Sequence, residues 1–242
     1  MKFNFSLDGV RINSEWFEYQ KRKSNVYQKI GYKGLNLYFQ LFKFRLHKQN
    51  DEHVFITSLG LLRKECGYPT QEVFELLKKL KSAKVIRMLN ISRWDYLIDS
   101  DGKYKDNNLL VIAANDPVPL GEKEKNYIYI DFGMFELYKE KGLNERYYPL
   151  YCLIKKWSGN KEGKSWMGVD KMARILDYDK DTIHRMIYKL NSEYLLCSVR
   201  KKSQNRNAYY FEHYILDSVK DYEKFKDRFK DKCDKLIKNK LL

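Results

Sequence analysis

Residues 55–86 read FITSLGLLRKECGYPTQEVFELLKKLKSAKVI and residues 166–196 read WMGVDKMARILDYDKDTIHRMIYKLNSEYLL, and a constant shift of 110 positions lays one on the other without a gap. The shift pairs Leu59 with Val169, Leu62 with Met172, Cys66 with Leu176, Tyr68 with Tyr178 and Val73 with Ile183. It continues through Leu77 and Ile187, Leu80 and Leu190, Ser82 and Ser192, Val85 and Leu195, and Ile86 and Leu196. Leu59, Leu62 and Cys66 recur at helical spacing, and after a short break Val73, Leu77 and Leu80 do so again. Each copy therefore carries two short helices with one apolar stripe apiece. A period this long signals two similar small units, because solenoid repeats run to roughly 20–50 residues.

Ahead of the first copy, Leu35, Phe39, Phe42 and Leu46 predict a helix whose wet side holds Lys43, Arg45 and Lys48. His53 to Ile56 alternates like a short strand, Thr57 or Ser58 suits a helix N-cap, Gly67 a C-cap and Pro69 a first helical turn. Val85–Ile91 and Leu109–Ala113 predict two further strands, separated by a polar stretch, Ser92–Asn108, that is too long for a plain hairpin and so is either mobile or elaborated. Three helices against three such strands make a winged helix-turn-helix. The second copy has matching parts: a strand at Tyr127–Ile130, and a helix with Leu150, Ile154 and Trp157 on one face and Pro149 in its first turn. Strands at Leu195–Val199 and Ala208–Phe211 flank a basic tip, Arg200 to Asn207. Pro117, Pro119, Gly121 and alternating charge mark Asn115–Asn126 as a linker. In the last stretch Val219, Tyr222, Phe225, Phe229, Cys233 and Leu236 predict an amphipathic helix that either packs back or meets a partner helix. The expected fold class is α+β, mainly helical: two tandem winged helix-turn-helix domains, 1–118 and 127–216, a linker at 119–126, and a charged C-terminal helix at 217–242.

The formal charge of +15, from 47 Lys plus Arg against 32 Asp plus Glu, favours a polyanionic partner. It is evenly spread, with a net +7 in residues 1–118 and +8 in 119–242. The four cysteines, Cys66, Cys152, Cys197 and Cys233, show no Cys-x-x-Cys spacing and read as reduced core residues. Met1–Val10 carries charge where a signal peptide needs an apolar run, and no stretch is long and apolar enough to span a bilayer, so a cytoplasmic location without membrane contact is expected.

The segment Ile30–Leu46, with Gly31, Gly34 and an aromatic-rich helix, resembles the N-terminal winged-helix domain of phage replisome organisers and DnaD-type primosome proteins. Asp170–Leu196, with Ala173, Leu176, Thr182, Arg185 and Leu190, is similar to the winged helices of plasmid replication initiators. Two such units in one chain also resemble tandem winged-helix initiators that bind origin repeats. The likeness covers most of residues 30–216 and does not extend to the C-terminal modules of the DnaD type. It implies replication initiation, with host replication proteins or self-association as further partners.

In a winged helix the second helix of the turn enters the major groove of duplex DNA. In the second unit, setting aside the apolar Ile183, Met186, Ile187 and Leu190 leaves Lys180, Thr182, Arg185 and Lys189 on the outer face, flanked by His184 and Tyr188. Arg185 suits bidentate guanine recognition, Thr182 a thymine methyl or a phosphate, and Lys180 and Lys189 phosphates. Arg200, Lys201, Lys202, Asn205 and Arg206 in the tip would add backbone contacts. In the first unit the shift places Glu75 opposite Arg185 and Glu72 opposite Thr182, so two carboxylates oppose docking. Thr70, Gln71, Lys78 and Lys79 remain candidate DNA contacts, while an exposed Phe74 suits a protein contact, leaving DNA binding and a partner role both open for this unit. Lys21, Arg22 and Lys23 form a further basic cluster or simply a solvated loop.

No catalytic residue, cofactor or metal is expected. Gly159–Ser165 has one residue too few between its glycines for a phosphate loop and follows a helix. The four histidines, at 47, 53, 184 and 213, include no pair at ligand spacing, no pair of the kind a nickase uses, and no Gly-x-Ser-x-Gly is present. The expected function is sequence-specific binding of double-stranded DNA as a plasmid or phage replication initiator. Two alternatives stand beside it: a transcriptional or partition regulator with the same DNA contacts, and an oligomerising interaction protein of the primosome kind.

Overall fold

The computed structural model describes residues 9–19, 23–46, 53–115, 127–159, 163–203 and 209–239, and over these the chain is an α+β fold, mainly helical, with small antiparallel sheets. The first unit opens with α1 (Val26–Leu41), started by a capping box in which Asn25 accepts from the Gln28 amide and Gln28 from the Asn25 amide. Gly31 breaks this helix with φ +70°, a backbone conformation that a side chain would strain. The helix ends at Leu41 rather than carrying on to Leu46; a 3-10 turn, Phe42–Phe44, follows, and Arg45 runs extended beside Phe55. Arg45 is thus half-buried and not on the wet side, its Nε sequestered without an acceptor and its pKa lowered by that burial. Lys43 does reach the surface, on Glu65 at 2.8 Å, and Lys48 lies outside the described residues.

Strand β2 (Val54–Thr57) leads to α2 (Leu59–Cys66), α3 (Thr70–Ser82), β3 (Ile86–Met88) and β4 (Leu110–Ala114), with the strands ordered β2-β4-β3. Ser58 caps α2 by accepting from the Leu61 amide, and Gly67, at φ +72°, closes it in the left-handed conformation. Pro69 stands just before α3 rather than in its first turn, its carbonyl accepting from the Val73 amide. The stretch between β3 and β4 is elaborated. It forms a 3-10 turn at Trp94–Leu97, a bridge between Ile98 and Tyr104, and a fully buried Leu97, and its Asp106 carbonyl accepts from the Gly60 amide of α2.

The second unit brings β5 (Tyr127–Asp131), α4 (Phe132–Glu140), α5 (Tyr148–Ser158), β6 (Lys164–Ser165), α6 (Val169–Leu176), α7 (Lys180–Ser192), β7 (Leu196–Lys202) and β8 (Tyr209–Ile215), with β6-β8-β7 as sheet order. Helices α6 and α7 begin and end 110 residues after α2 and α3, and the left-handed residues Asp177 and Tyr194 fall 110 after Gly67 and Lys84. Both α3 and α7 finish with the same Schellman closure: Val85 donates to the Leu80 carbonyl and Leu195 to the Leu190 carbonyl, each at 2.9 Å. The repeat is therefore one of backbone conformation as well as of apolar pattern. On α5, Leu150 and Ile154 are fully buried but Trp157 turns to the surface, 39 % exposed.

The residues of the linker, 119–126, lie outside those described. The units on either side share one continuous core, in which Phe39 of α1 stacks on Phe135 of α4 with centroids 4.9 Å apart. Asn25 and Gln28 also donate from their side-chain amides to the carbonyls of Ile175 and Arg174 at the end of α6, each at 3.0 Å. Strand β1 (Gly9–Asn13), which the sequence pattern did not announce, pairs antiparallel with β5, Val10 against Ile130 and Ile12 against Ile128. The last helix, α8 (Tyr222–Lys238), packs back on β7 and α7: Phe229, Cys233 and Leu236 are buried, and Tyr194 donates to Asp234 at 2.9 Å. Among the described residues, no helix is long and apolar enough to cross a membrane.

Candidate nucleic-acid interface

Helix α7 starts where Asp179 accepts from the Thr182 amide at 2.6 Å. The Thr182 hydroxyl donates to the same carboxylate at 2.7 Å and in turn accepts from Arg185 Nη2 at 3.0 Å. Hydrogen bonds from the Thr182 hydroxyl and amide hold the Asp179 pKa down, so the chain Asp179–Thr182–Arg185 is anchored on a carboxylate that stays ionised. It fixes one edge of the Arg185 guanidinium while the side chain remains exposed. Tyr188, one turn further on, is 39 % exposed.

The remaining candidates on α7 divide differently from the expectation. Lys180 folds back onto Asp170 of α6 at 2.8 Å, lowering that carboxyl's pKa, and Lys189 pairs with Glu193 at 2.6 Å. Both lysines therefore already have a carboxylate partner that a phosphate would have to displace. His184 is half-buried, with Nδ1 sequestered and without a partner. Thr182 is half-buried and serves the cap, so its hydroxyl is committed to Asp179 and Arg185.

Strand β7 leaves α7 through Tyr194 and carries Arg200, Lys201 and Lys202 into an exposed antiparallel ribbon. The register sets Lys201 opposite Tyr210 and Lys202 opposite Tyr209. The Arg200 guanidinium lies 4.0 Å from the centroid of the Tyr209 ring, which is 59 % exposed, a cation–π pair on an outer surface. Asn205 and Arg206 lie outside the described residues. The sequence reading missed Tyr209 and Tyr210; the signal available was two adjacent tyrosines on the strand that returns from a basic tip. It also missed the outer side of α6, where exposed Lys171 and Arg174 sit over the rings of Trp157 and Tyr19 at 4.2 and 5.6 Å.

The equivalent face of the first unit is closed over at Phe74, in the place of His184, while Glu75 in the place of Arg185 stays exposed. Phe74, expected to be exposed, is only 4 % exposed, because Trp94 and Tyr104 from the long β3–β4 stretch close over it with ring centroids at 5.5 and 5.2 Å. Lys78 lies over the Phe74 ring and bonds Glu75 at 3.1 Å, and Lys81 lies over Trp94. Glu72 turns to Lys33 of α1 at 2.6 Å, a bond that raises the lysine's pKa. Both carboxylates are thus matched locally. Gln71 and Lys79 are exposed and Thr70 is half-buried beside them. Of the N-terminal basic cluster, Lys23 is exposed and residues 21–22 lie outside those described.

The phosphate-loop look-alike dissolves into the sheet where it is described: Lys164 sits in β6 bonded to Glu212 at 3.1 Å, and Ser165 is fully buried. His213, on the buried side of β8, lies 2.8 Å from the Ser198 hydroxyl, and burial pushes its pKa down to about 4. Among the described residues, no group of three His, Cys, Asp or Glu stands ready to hold a metal ion. Burial raises the thiol pKa of Cys66 to about 12. Compared with known proteins, the chain matches no family model, no curated protein and no solved structure at a significant level.

Proposed function

We propose that this chain binds double-stranded DNA sequence-specifically, that both of its repeated units are winged helix-turn-helix domains, and that α7 of the second is the reading helix. The observation that carries the reading is Arg185. It stands exposed on the second helix of a helix–turn–helix, braced by Thr182 and Asp179, in the unit that also carries a β7–β8 ribbon of exposed Arg, Lys and Tyr. A guanidinium oriented in this way suits the O6 and N7 edge of guanine, and the ribbon suits the flanking phosphates. The carboxylates Glu72 and Glu75, standing on α3 where α7 has Thr182 and Arg185, support a division of labour in which the first unit holds the second in place, by way of α1, and reads no bases itself.

Within that activity we favour a replication initiator of a plasmid or phage, on the likeness of both units to such proteins. The carboxylates on α3 also favour a second reading, a transcriptional or partition regulator. One open reader per chain meets two half-sites only when two chains associate, as regulators commonly do. The test is selection of bound duplexes from a random pool by the full chain, followed by footprinting on the enriched sequence. Enrichment of a motif containing a guanine whose protection is lost in Arg185→Ala supports the reading; recovery of no motif overturns it. Footprints that cover iterated direct repeats indicate the initiator, and a single palindrome indicates the regulator.

A further inference from the structure

Three buried polar side chains join the last turn of α7 to both strands of the β7–β8 ribbon. Asn191 is 0 % exposed, and Ser198 of β7 and His213 of β8 are 1 % exposed each. Strand β7 is an edge of its sheet, which leaves its outer side open to the Asn191 carboxamide. Asn191 Oδ1 accepts from the Ser198 amide at 2.8 Å, and Asn191 Nδ2 donates to the Ser198 hydroxyl at 3.1 Å. Nδ2 also donates to the Ile187 carbonyl at 2.8 Å, which ties this clamp to the body of the helix. The Ser198 hydroxyl lies 2.8 Å from His213 Nδ1. Burial keeps the imidazole neutral near pH 7, and the hydroxyl oxygen already accepts from Asn191, so the hydroxyl donates to Nδ1.

The clamp grips the ribbon where it leaves the core. The register sets Ser198 against His213, then Arg200 against Phe211 and Lys202 against Tyr209, so one face runs from the buried network to the basic end. Along it the Phe211 ring stacks on His213 with centroids 6.2 Å apart, and Arg200 lies over Tyr209. The first unit closes the same junction without these polar groups. Met88 holds the place of Ser198, and Ile112, paired with Met88 as His213 is with Ser198, is fully buried. Lys81 stands where Asn191 does and turns to Trp94. An apolar pair therefore suffices to close this frame, and replacing both partners of a buried hydrogen bond by apolar groups of the same shape is often nearly neutral or stabilising. Closing the core does not account for the network in the second unit.

We propose that Asn191, Ser198 and His213 are positioning residues that fix the angle at which the β7–β8 ribbon leaves α7, so that Arg185 and the ribbon cations engage one duplex in a set relation. The inference rests on the reading of α7 as the DNA-contacting helix. A two-stranded ribbon beyond its core is marginal by itself, and its direction is set at its base. Directed hydrogen bonds hold an angle there because they weaken steeply with misalignment, whereas apolar packing is non-directional. The first unit carries Glu72 and Glu75 in the places of Thr182 and Arg185. With no duplex to align, it fills the positions of Ser198 and His213 with apolar side chains.

Ser198→Ala combined with His213→Leu removes the link at similar volume and leaves Asn191 bonded to the Ile187 carbonyl and the residue 198 amide. Residual dipolar couplings of the full chain measure the orientation of the 200–202 and 209–211 amides against those of α7. In the unaltered chain the two sets are expected to fit one rigid frame. In the double variant the ribbon is expected to leave that frame and affinity for the selected duplex to fall roughly three- to tenfold, while the chain stays folded by its urea midpoint. Ser198→Thr, which keeps the hydroxyl, is expected to keep both frame and affinity. Ser198→Ala alone, the second variant should the double one not fold, is expected to show the same departure in smaller measure. Ribbon couplings that leave the α7 frame in the unaltered chain, or keep to it in the variants, overturn the proposal without reference to DNA. A departure with unchanged duplex affinity overturns it as well. Failure of the unaltered chain to bind any selected duplex removes instead the DNA reading on which the inference rests, and is told apart because it involves no variant.

Discussion

Tyr68 and Tyr178 hold the same place in the two repeats, and each hydroxyl is bonded to the other unit. Tyr68 donates to Glu145, and Tyr178 accepts from Tyr27 at 3.2 Å. Each lies in the turn that sets the angle between the paired helices, so each turn is tied to the neighbouring unit as well as to its own. Truncating the hydroxyls separates the two roles. Tyr178→Phe is expected to cost about 0.5–1.5 kcal/mol, the usual net worth of one hydrogen bond. Tyr68→Phe is expected to cost about 1–3 kcal/mol, because it strands Asn36 Nδ2 in the interior without an acceptor. Urea unfolding of both variants checks the order, and an equal loss would show that the Asn36 amide finds another partner.

Arg185→Ala is expected to cost about 1–3 kcal/mol on the selected duplex and little on random duplex, whereas Lys201→Ala weakens both alike. Titrations on the two duplexes at one fixed salt concentration distinguish them. Equal losses on both duplexes for Arg185→Ala would remove it as a base reader.

Thr182→Val keeps the shape of the side chain and removes the hydroxyl that links Asp179 to Arg185. Affinity for the selected duplex is expected to fall by roughly three- to tenfold, the worth of one hydrogen bond. Discrimination at the guanine should fall with it, since the guanidinium is no longer braced. Asp179 keeps its bond from the residue 182 amide, so helix α7 itself should persist, as circular dichroism would report.

Phe74→Ala is expected to destabilise the chain by about 3–5 kcal/mol, as for other buried aromatic truncations. Its ring sits beneath Trp94 and Tyr104. Trp94→Ala uncovers that ring without emptying the core position, and is expected to cost less. Neither change should raise affinity for the selected duplex if α3 reads no bases. A gain on Trp94→Ala would instead reveal the β3–β4 stretch as a lid over a second reader.

His53 and His213 are both buried with pKa values lowered from 6.5 to about 4, chiefly by loss of solvation. The unfolded chain therefore binds more protons than the folded one between these values. Stability from keeping the rings neutral is complete above about pH 6.5 and is lost as pH falls towards 4, with a limiting slope of about 1.4 kcal/mol per pH unit for each proton. Urea midpoints measured across that window should fall with pH. In His213→Gln the dependence should flatten by the share of one proton, and an unchanged slope would place the titration elsewhere.

The helix pairs were legible in the sequence because their apolar stripes repeat at one offset and their stop signals are local: Gly67 for α2, and a Schellman closure that needs only the residues of its own helix end. The pairing of Lys189 with Glu193 could also have been read, being an (i, i+4) pair on one helix face. Phe74 was misplaced because its cover arrives from Trp94 and Tyr104, residues in a polar stretch whose folding depends on the helices it closes over. Periodicity describes one face of one element and is silent about what a distant loop lays on the other. Strand β1 offers the same lesson. Val10 and Ile12 alternate as a strand should, but nothing local names Ile130 and Ile128 as their partners.

That ribbon has a consequence for how the chain is made. The whole first unit is spliced between its two strands, so Gly9 meets Asp131 only after the intervening unit has been translated. At roughly 5–20 residues per second, the first strand waits on the order of ten seconds for its mate to emerge. In that interval Val10 and Ile12, which end with 0 and 1 % exposure, remain open to other strands or to chaperones. A cut anywhere between them leaves two fragments that each carry half of a broken ribbon, so the repeat visible in the sequence does not mark two pieces that can be taken apart.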